Sequence, residues 1–194
     1  MIESLTIDDA GEVAGIHAAT MSEGLLVMYR PSALAKVYSA LIRAPESVSV
    51  GFRAGGALKG FAVASPARTQ SLPFLIRHGH TGLIRDVAYV LLRHPVEVRR
   101  RWLSGTASGQ HSAEVYNLYA ISVAPYAQGE GIGRRLLDEV VRICSQRGVT
   151  LIRAESGQNQ TAGHALYERA GWDLDPDTAI GPRPRCYAKV LRST

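Results

Sequence analysis

Apolar residues recur along this chain with two different periods. Short runs with strand-like alternation or continuous apolar character occur at 3–7, 47–53, 58–65, 113–123, 149–155, 172–174 and 186–191. Between them lie segments with helical spacing at 9–20, 31–42, 83–91, 96–103, 132–144 and 162–170. Val13, Ile16 and His17 mark the inner side of the first helix, which Asp8 or Asp9 caps. Leu34, Val37, Tyr38 and Leu41 mark that of the second, which Pro31 opens. Leu83, Val87, Val90 and Leu91 mark the third, and Ile132, Leu136, Val140 and Ile143 the fifth. Ala54-Gly55-Gly56-Ala57 joins two strands as a hairpin. Strands that pair as hairpins and also alternate with helices predict an α/β fold. Its sheet is mixed and mostly antiparallel, with helices on its faces.

Composition narrows the class. A chain of 194 residues with a 46% apolar share fits a single domain, 1–194, with a full core. The exception is 67–110, an irregular helical insertion. No apolar run reaches the ~18 residues of a membrane-spanning helix. Glu3, Asp8, Asp9 and Glu12 stand where a secretory signal would be basic and then apolar. With only Cys144 and Cys186, a disulfide scaffold is not expected, and the reading is cytoplasmic. The net charge of +5 is carried mostly by arginine, which suits phosphate and carboxylate partners. No zinc-finger spacing or aromatic ribonucleoprotein signature accompanies it, so no nucleic acid partner is expected.

The chemistry concentrates at Gln128-Gly129-Glu130-Gly131-Ile132-Gly133, between a strand and an amphipathic helix. A glycine-rich turn opening a helix leaves backbone N–H groups free at the positive end of the helix dipole, which makes an anion site. A dinucleotide turn counted from Gly129 requires glycine where Arg134 stands, and no Gly-Lys-Ser/Thr of a P-loop is present. Arg134 and Arg135 in the first turn oppose the dipole unless an anion lies between them.

The pattern Gln128-x-x-Gly131-x-Gly133 resembles that of the GNAT superfamily of N-acetyltransferases. So do 118–125, Leu-Tyr-Ala-Ile-Ser-Val-Ala-Pro, ahead of the turn, and 165–172, Ala-Leu-Tyr-Glu-Arg-Ala-Gly-Trp, after it. The resemblance covers about 113–172 and implies the GNAT fold, with acetyl-CoA as acyl donor and no metal. It assigns the pyrophosphate to Gln128, Gly129, Glu130, Gly131, Ile132, Gly133 and Arg134, with Gly131 and Gly133 clearing the way for phosphate. It assigns the carbonyl and pantetheine contacts to the backbone at Ile121, Ser122 and Val123. Where the family commonly has asparagine, Gln160 stands, with Asn159 one step off; either contacts the pantetheine arm or the helix entry.

By the same resemblance the acetyl group passes directly to a primary amine. Tyr167 is the general acid toward the leaving thiolate. Glu155, twelve positions earlier, is the general base through a water, with Glu114 and Tyr119 as alternatives. Neither cysteine has a nucleophile setting. His78 and His80 read as loop residues, His17 and His164 as packing or surface residues, and Arg99-Arg100-Arg101-Trp102 as a solvated helix face. The acceptor pocket is expected from 21–30 and the 67–110 insertion, which serves as a lid or as a contact in a homodimer. A small amine such as an amino sugar or other metabolite is the favoured acceptor. A protein N-terminus or lysine is the runner-up, and a non-catalytic acyl-CoA sensor is the alternative of another class.

Overall fold

The hairpin at Gly55-Gly56 organises the N-terminal half of the sheet. Both glycines have positive φ, 61° and 80°, as a two-residue turn with the twist of its flanking strands requires. It joins β2, Val48–Ala54, to β3, Ala57–Pro66. The computed structural model describes residues 1–22, 28–66, 69, 74, 83–93, 95, 114–179 and 184–191. The expected helix at 96–103, the arginine run at 99–101, His78 and His80 lie outside the described residues.

The remaining strands are β1, Ile2–Ser4; β4, Val115–Val123; β5, Leu151–Ser156; β6, Asp173–Leu174; and β7, Arg185–Val190. They form one sheet in the order β1-β2-β3-β4-β5-β7-β6. Only β4 and β5 run parallel. The helices are α1, Ala10–Thr20; α2, Pro31–Arg43; α3, Leu83–Arg93; α4, Ile132–Gln146; and α5, Thr161–Arg169. The predicted α/β class and mostly antiparallel sheet hold.

Two apolar clusters fill the two faces of the sheet. One joins Val50, Ala62, Ala64, Leu118 and Ile152 to α4, through Leu136, Leu137 and Val140, and to α5 through Tyr167. The other joins Phe61, Val63 and Ala120 to α1, through Val13 and Ile16, and to α2, through Leu34, Tyr38 and Leu41. Most of β3 is buried because both its faces are covered. At Gly60, a Cβ would lie 2.9 Å from the Ser122 carbonyl oxygen and 3.2 Å from Ile132 and Leu136 side-chain carbons. Glycine there lets α4 lie close to the sheet.

Two boundaries and one inner-face position differ from expectation. The first strand ends at Ser4, because Asp9 accepts hydrogen bonds from Thr6 N (2.7 Å) and Thr6 Oγ1 (2.9 Å) and turns the chain at Ile7–Asp9. Val149 precedes β5, its N–H closing α4 on the Cys144 carbonyl at 3.1 Å. Leu91, expected on the inner side of α3, is 45% exposed; among the described side chains of α3, Val90 is buried. Asp86 instead turns α3 toward α2, its Oδ2 lying 2.7 Å from Lys36 Nζ.

Candidate active site

Pairing between β4 and β5 is limited to Val115↔Leu151 through Leu118↔Ala154. Beyond Leu118 and Ala154 the two strands part, while β3 stays on β4 up to Gly60↔Val123, and β7 on β5 up to Ser156↔Arg185. The result is a gap inside the sheet. On β4 it is edged by 119–123 and on β5 by Glu155 and Ser156, and the glycine turn follows at its β4 end.

A bulge sets which groups face this gap. Val63 pairs with Ala120 and Ala64 with Leu118, so Tyr119 is an extra residue on β4. The extra residue reverses the alternation. Tyr116 and Leu118 share the α4 face with Ile121 and Val123, whereas Tyr119 and Ala120 both belong to the α1/α2 face. Ala124 N donates to the Lys59 carbonyl across β3 at 2.8 Å. Counting back by strand alternation, the N–H of Ser122 points toward β3, and those of Ile121 and Val123 point into the gap. Ser122, expected alongside them as a cofactor contact, therefore faces away. Its hydroxyl is bonded to Thr20 Oγ1 and pins the end of α1 to β4.

The turn has the features of an anion site. Gly129 and Gly131 have φ of 85° and 74°, and Gly131 caps α4 with no side chain on the first-turn donors. The first helical bond is Arg135 N to Gly131 O at 3.2 Å. Among the described residues, the N–H groups from Gly129 through Arg134 make no hydrogen bond. Unpaired donors beside left-handed glycines at a helix start can take a phosphate.

The side chains around the turn are held by the protein itself. Gln128 Nε2 donates to the Val123 carbonyl at 3.1 Å and ties the turn to β4. Arg134 Nε donates to both carboxylate oxygens of Asp138, at 2.8 and 2.9 Å, and its Nη1 to the Arg169 carbonyl at the end of α5. Arg135 lies over the Phe52 ring. An anion is thus not needed to explain either arginine. A Cβ on Gly133 would meet Leu166 at 3.6 Å and Val123 at 3.7 Å. It faces packing rather than the cradle, which removes the expected reason for glycine at 133.

Tyr167 is 4% exposed and packs between Trp172 and Tyr187, with ring centroids at 5.3 and 5.0 Å. Burial, then the neighbouring Tyr187, pushes its phenol well above the ordinary tyrosine range, so the hydroxyl keeps its proton at neutral pH. Among the described residues the hydroxyl makes no hydrogen bond.

Glu155 is exposed and follows the last β4-paired residue of β5. Ile152 and Ala154 belong to the α4/α5 face, so Glu155 lies on the α1/α2 face. Tyr167 comes from the opposite one, so the expected base and acid bracket the gap from its two sides. Glu114 is not a candidate base, because it lies at the closed end, its carbonyl accepting from Thr150 N (2.9 Å) and Leu151 N (3.3 Å). Tyr119 is held well above the ordinary tyrosine range by burial and then by Tyr29, which disfavours the phenolate a base requires.

Gln160 stands at the entry of α5, its Oε1 accepting from Ser156 Oγ at 3.4 Å, and Asn159 precedes it as an exposed residue. The two described histidines are structural. His164 contacts the Gly157 carbonyl at 2.9 Å, and buried His17 meets the Tyr38 hydroxyl at 2.6 Å. Burial pushes the Cys144 thiol up to about 12, and burial, then Glu155 and Asp175, raise that of Cys186. Neither is an activated nucleophile. Among the described residues no cluster could hold a metal ion, and no helix is long and apolar enough to cross a membrane. Tyr29 and Arg30, within the expected 21–30 segment, and Arg85, Asp86 and Tyr89, within the expected 67–110 insertion, line a cavity between α2 and α3, although the sequence singled out none of these side chains. Only tertiary packing brings them together.

A sheet opened between two parallel strands, with a phosphate-ready turn at its mouth, is a site built for a phosphorylated ligand. The chain belongs to the acetyltransferase (GNAT) family, whose profile matches residues 20–172. It is an acetyl-transferring enzyme, and its family uses acetyl-CoA as donor.

Solved structures share the fold at low identity. The ribosomal-protein-alanine N-acetyltransferase from Brucella melitensis is 16% identical, with TM-score 0.64, over 98% of this chain and 99% of that one. The PaiA N-acetyltransferase from Thermoplasma acidophilum, solved in complex with coenzyme A, is 17% identical, with TM-score 0.59, over 98% of each chain. Aminoglycoside 6'-acetyltransferase type Ii is 15% identical, with TM-score 0.61, over 98% of this chain and 96% of that one. No curated protein matches the chain in sequence.

Proposed function

We propose that this enzyme transfers the acetyl group of acetyl-CoA directly to the primary amine of a small molecule. The observation that carries the acceptor class is the cavity of about 360 Å³ between α2 and α3, on the α1/α2 side of the sheet. It is in the size range of small-molecule sites. The Lys36–Asp86 ion pair holds α3 of the insertion over it, so the insertion acts as a wall of the acceptor site. A peptide would favour an open groove.

The donor supplies a thioester carbonyl. Its pyrophosphate is held by N–H groups of Gly129–Arg134, and the N–H groups of Ile121 and Val123 polarise the thioester from the edge of β4. The amine arrives from the α1/α2 face. Glu155, reached through a water, takes its proton, and Tyr167 protonates the departing thiolate from the other face. Burial keeps the phenol protonated, as a donor requires, while making it a weaker acid, so its contribution is a modest one. With both thiols raised by burial, no acyl-enzyme is invoked.

Two of the structural neighbours are ribosomal-protein-alanine N-acetyltransferases and another is an aminoglycoside 6'-acetyltransferase. At these identities the likeness is one of fold and favours neither acceptor. The test is thiol release from acetyl-CoA across amino sugars, amino acids, polyamines and peptides with free N-termini or lysines. The proposal expects the highest kcat/KM on a small amine. Release on peptides alone would establish the runner-up, and coenzyme A binding without release on any amine would establish a sensor.

A further inference from the structure

The cavity between α2 and α3 has a chemical bias. Arg30 is the N-cap residue of α2, and its guanidinium carbon lies 4.7 Å from the centre of the Tyr89 ring of α3. Arg85 lines the opposite wall, and among the described residues it makes no ion pair or hydrogen bond. The one acidic residue of the described lining, Asp86, lies 2.7 Å from Lys36 Nζ, which answers its charge. Among the described residues the lining therefore presents two guanidinium groups with no carboxylate left to answer them. Ala33 and Val90 supply the apolar floor.

The cavity borders the apolar cluster against which the β4 edge of the reaction gap also packs, through Tyr29 and Tyr119. Tyr29 lines it and lies close enough to Tyr119 to raise that phenol. Tyr119 is the bulge residue of β4, two positions before Ile121. Burial, then Asp86, keeps Tyr29 itself protonated, so it faces the cavity as a neutral hydroxyl.

We propose that this cavity is an acid-recognition subsite: the amine that the enzyme acetylates carries a carboxylate or phosphate group, held by Arg85 and Arg30 between α2 and α3. This rests on the small-molecule reading above. Arginine donates in pairs to both kinds of oxyanion, with the acid's source left to the substrate. Cationic acceptors such as polyamines are disfavoured by the same two charges.

The experiment compares matched amines in thiol release: β-alanine against propylamine, and phosphoethanolamine against ethanolamine. The wild-type enzyme should favour the acidic member of each pair by about tenfold to a hundredfold in kcat/KM, as one hydrogen-bonded charge pair provides. Arg85→Glu should collapse that ratio, and Arg85→Lys should keep part of it. Equal use of neutral and acidic partners, or a ratio that Arg85→Glu does not move, overturns the subsite and leaves small-amine transfer standing. If only peptides are acetylated, the small-molecule reading falls instead. Calorimetric titration of succinate into the coenzyme A-saturated protein then judges the cavity alone. Succinate binding weakened at least tenfold by Arg85→Glu supports an acid site, whereas no binding, or binding unchanged by the substitution, overturns it.

Discussion

Gly131 and Gly133 look equivalent in the sequence, and the structure separates them. Gly131 has φ of 74°, so alanine there must adopt a left-handed conformation. That costs about 1–2 kcal/mol of folding free energy. The cost is avoided only if the backbone relaxes, which turns the N–H groups of Ile132 and Gly133 out of the cradle. Losing one hydrogen bond to a charged phosphate removes about 1.5–3 kcal/mol. That is a loss of coenzyme A affinity of about tenfold to a hundredfold. Gly133 is helical, and a Cβ there meets Leu166 and Val123 at 3.6 and 3.7 Å, ordinary contact distances. Gly133→Ala should therefore leave affinity within about threefold and add about 0.5–1 kcal/mol of stability from the reduced entropy cost. Urea unfolding midpoints and calorimetric titration of coenzyme A measure both effects. Full affinity in Gly131→Ala, or a loss above tenfold in Gly133→Ala, would refute this assignment of donors in the turn.

Three further outcomes are expected. Tyr167→Phe should lower kcat by about a hundredfold, the low end for general acid catalysis, because a thiolate is already a fair leaving group. Its melting temperature should barely move, since the hydroxyl is not hydrogen-bonded among the described residues; unchanged turnover at saturating substrates would remove Tyr167 from the role. Glu155→Gln should lose the acidic limb of the kcat/KM profile, and an unaltered profile would dismiss Glu155 as the base. Burial lowers His17 from 6.5 to about 4, so between those values the unfolded chain binds a proton that the folded one refuses. Stability present above pH 6.5 is lost as pH falls toward 4, by up to about 3 kcal/mol for this group. His17→Gln should flatten that part of the stability profile, read from urea midpoints between pH 4 and 7; a slope equal to wild type would contradict it.

What could be read from the chain alone was local. The Gly55-Gly56 hairpin, Pro31 at the head of α2 and the glycine turn each announce themselves through the φ values or free N–H groups that their residues impose. The register of β4 could not be read, because the extra residue at Tyr119 is set by its pairing with β3, and that slip decides that Ser122 faces away from the gap. The gap depends on where β4 and β5 stop pairing, across more than 30 intervening residues of chain. The Arg134 side chain pairs with Asp138, four positions on, a spacing that matches charges along a helix, so its place in the first turn is no sign of an anion. The 67–110 insertion was legible as a pocket wall, but Arg85 within it is singled out only by the packing of α3 against α2.

The most direct measurement is a single turnover with enzyme in excess over labelled acetyl-CoA, with and without a reactive amine, read by mass spectrometry of protein, coenzyme A and amine. Direct transfer predicts that the label moves to the amine only when the amine is present, with free thiol released in equal amount and the protein mass unchanged. Label on the protein, or acetyl-CoA bound and intact beside every amine, would contradict it.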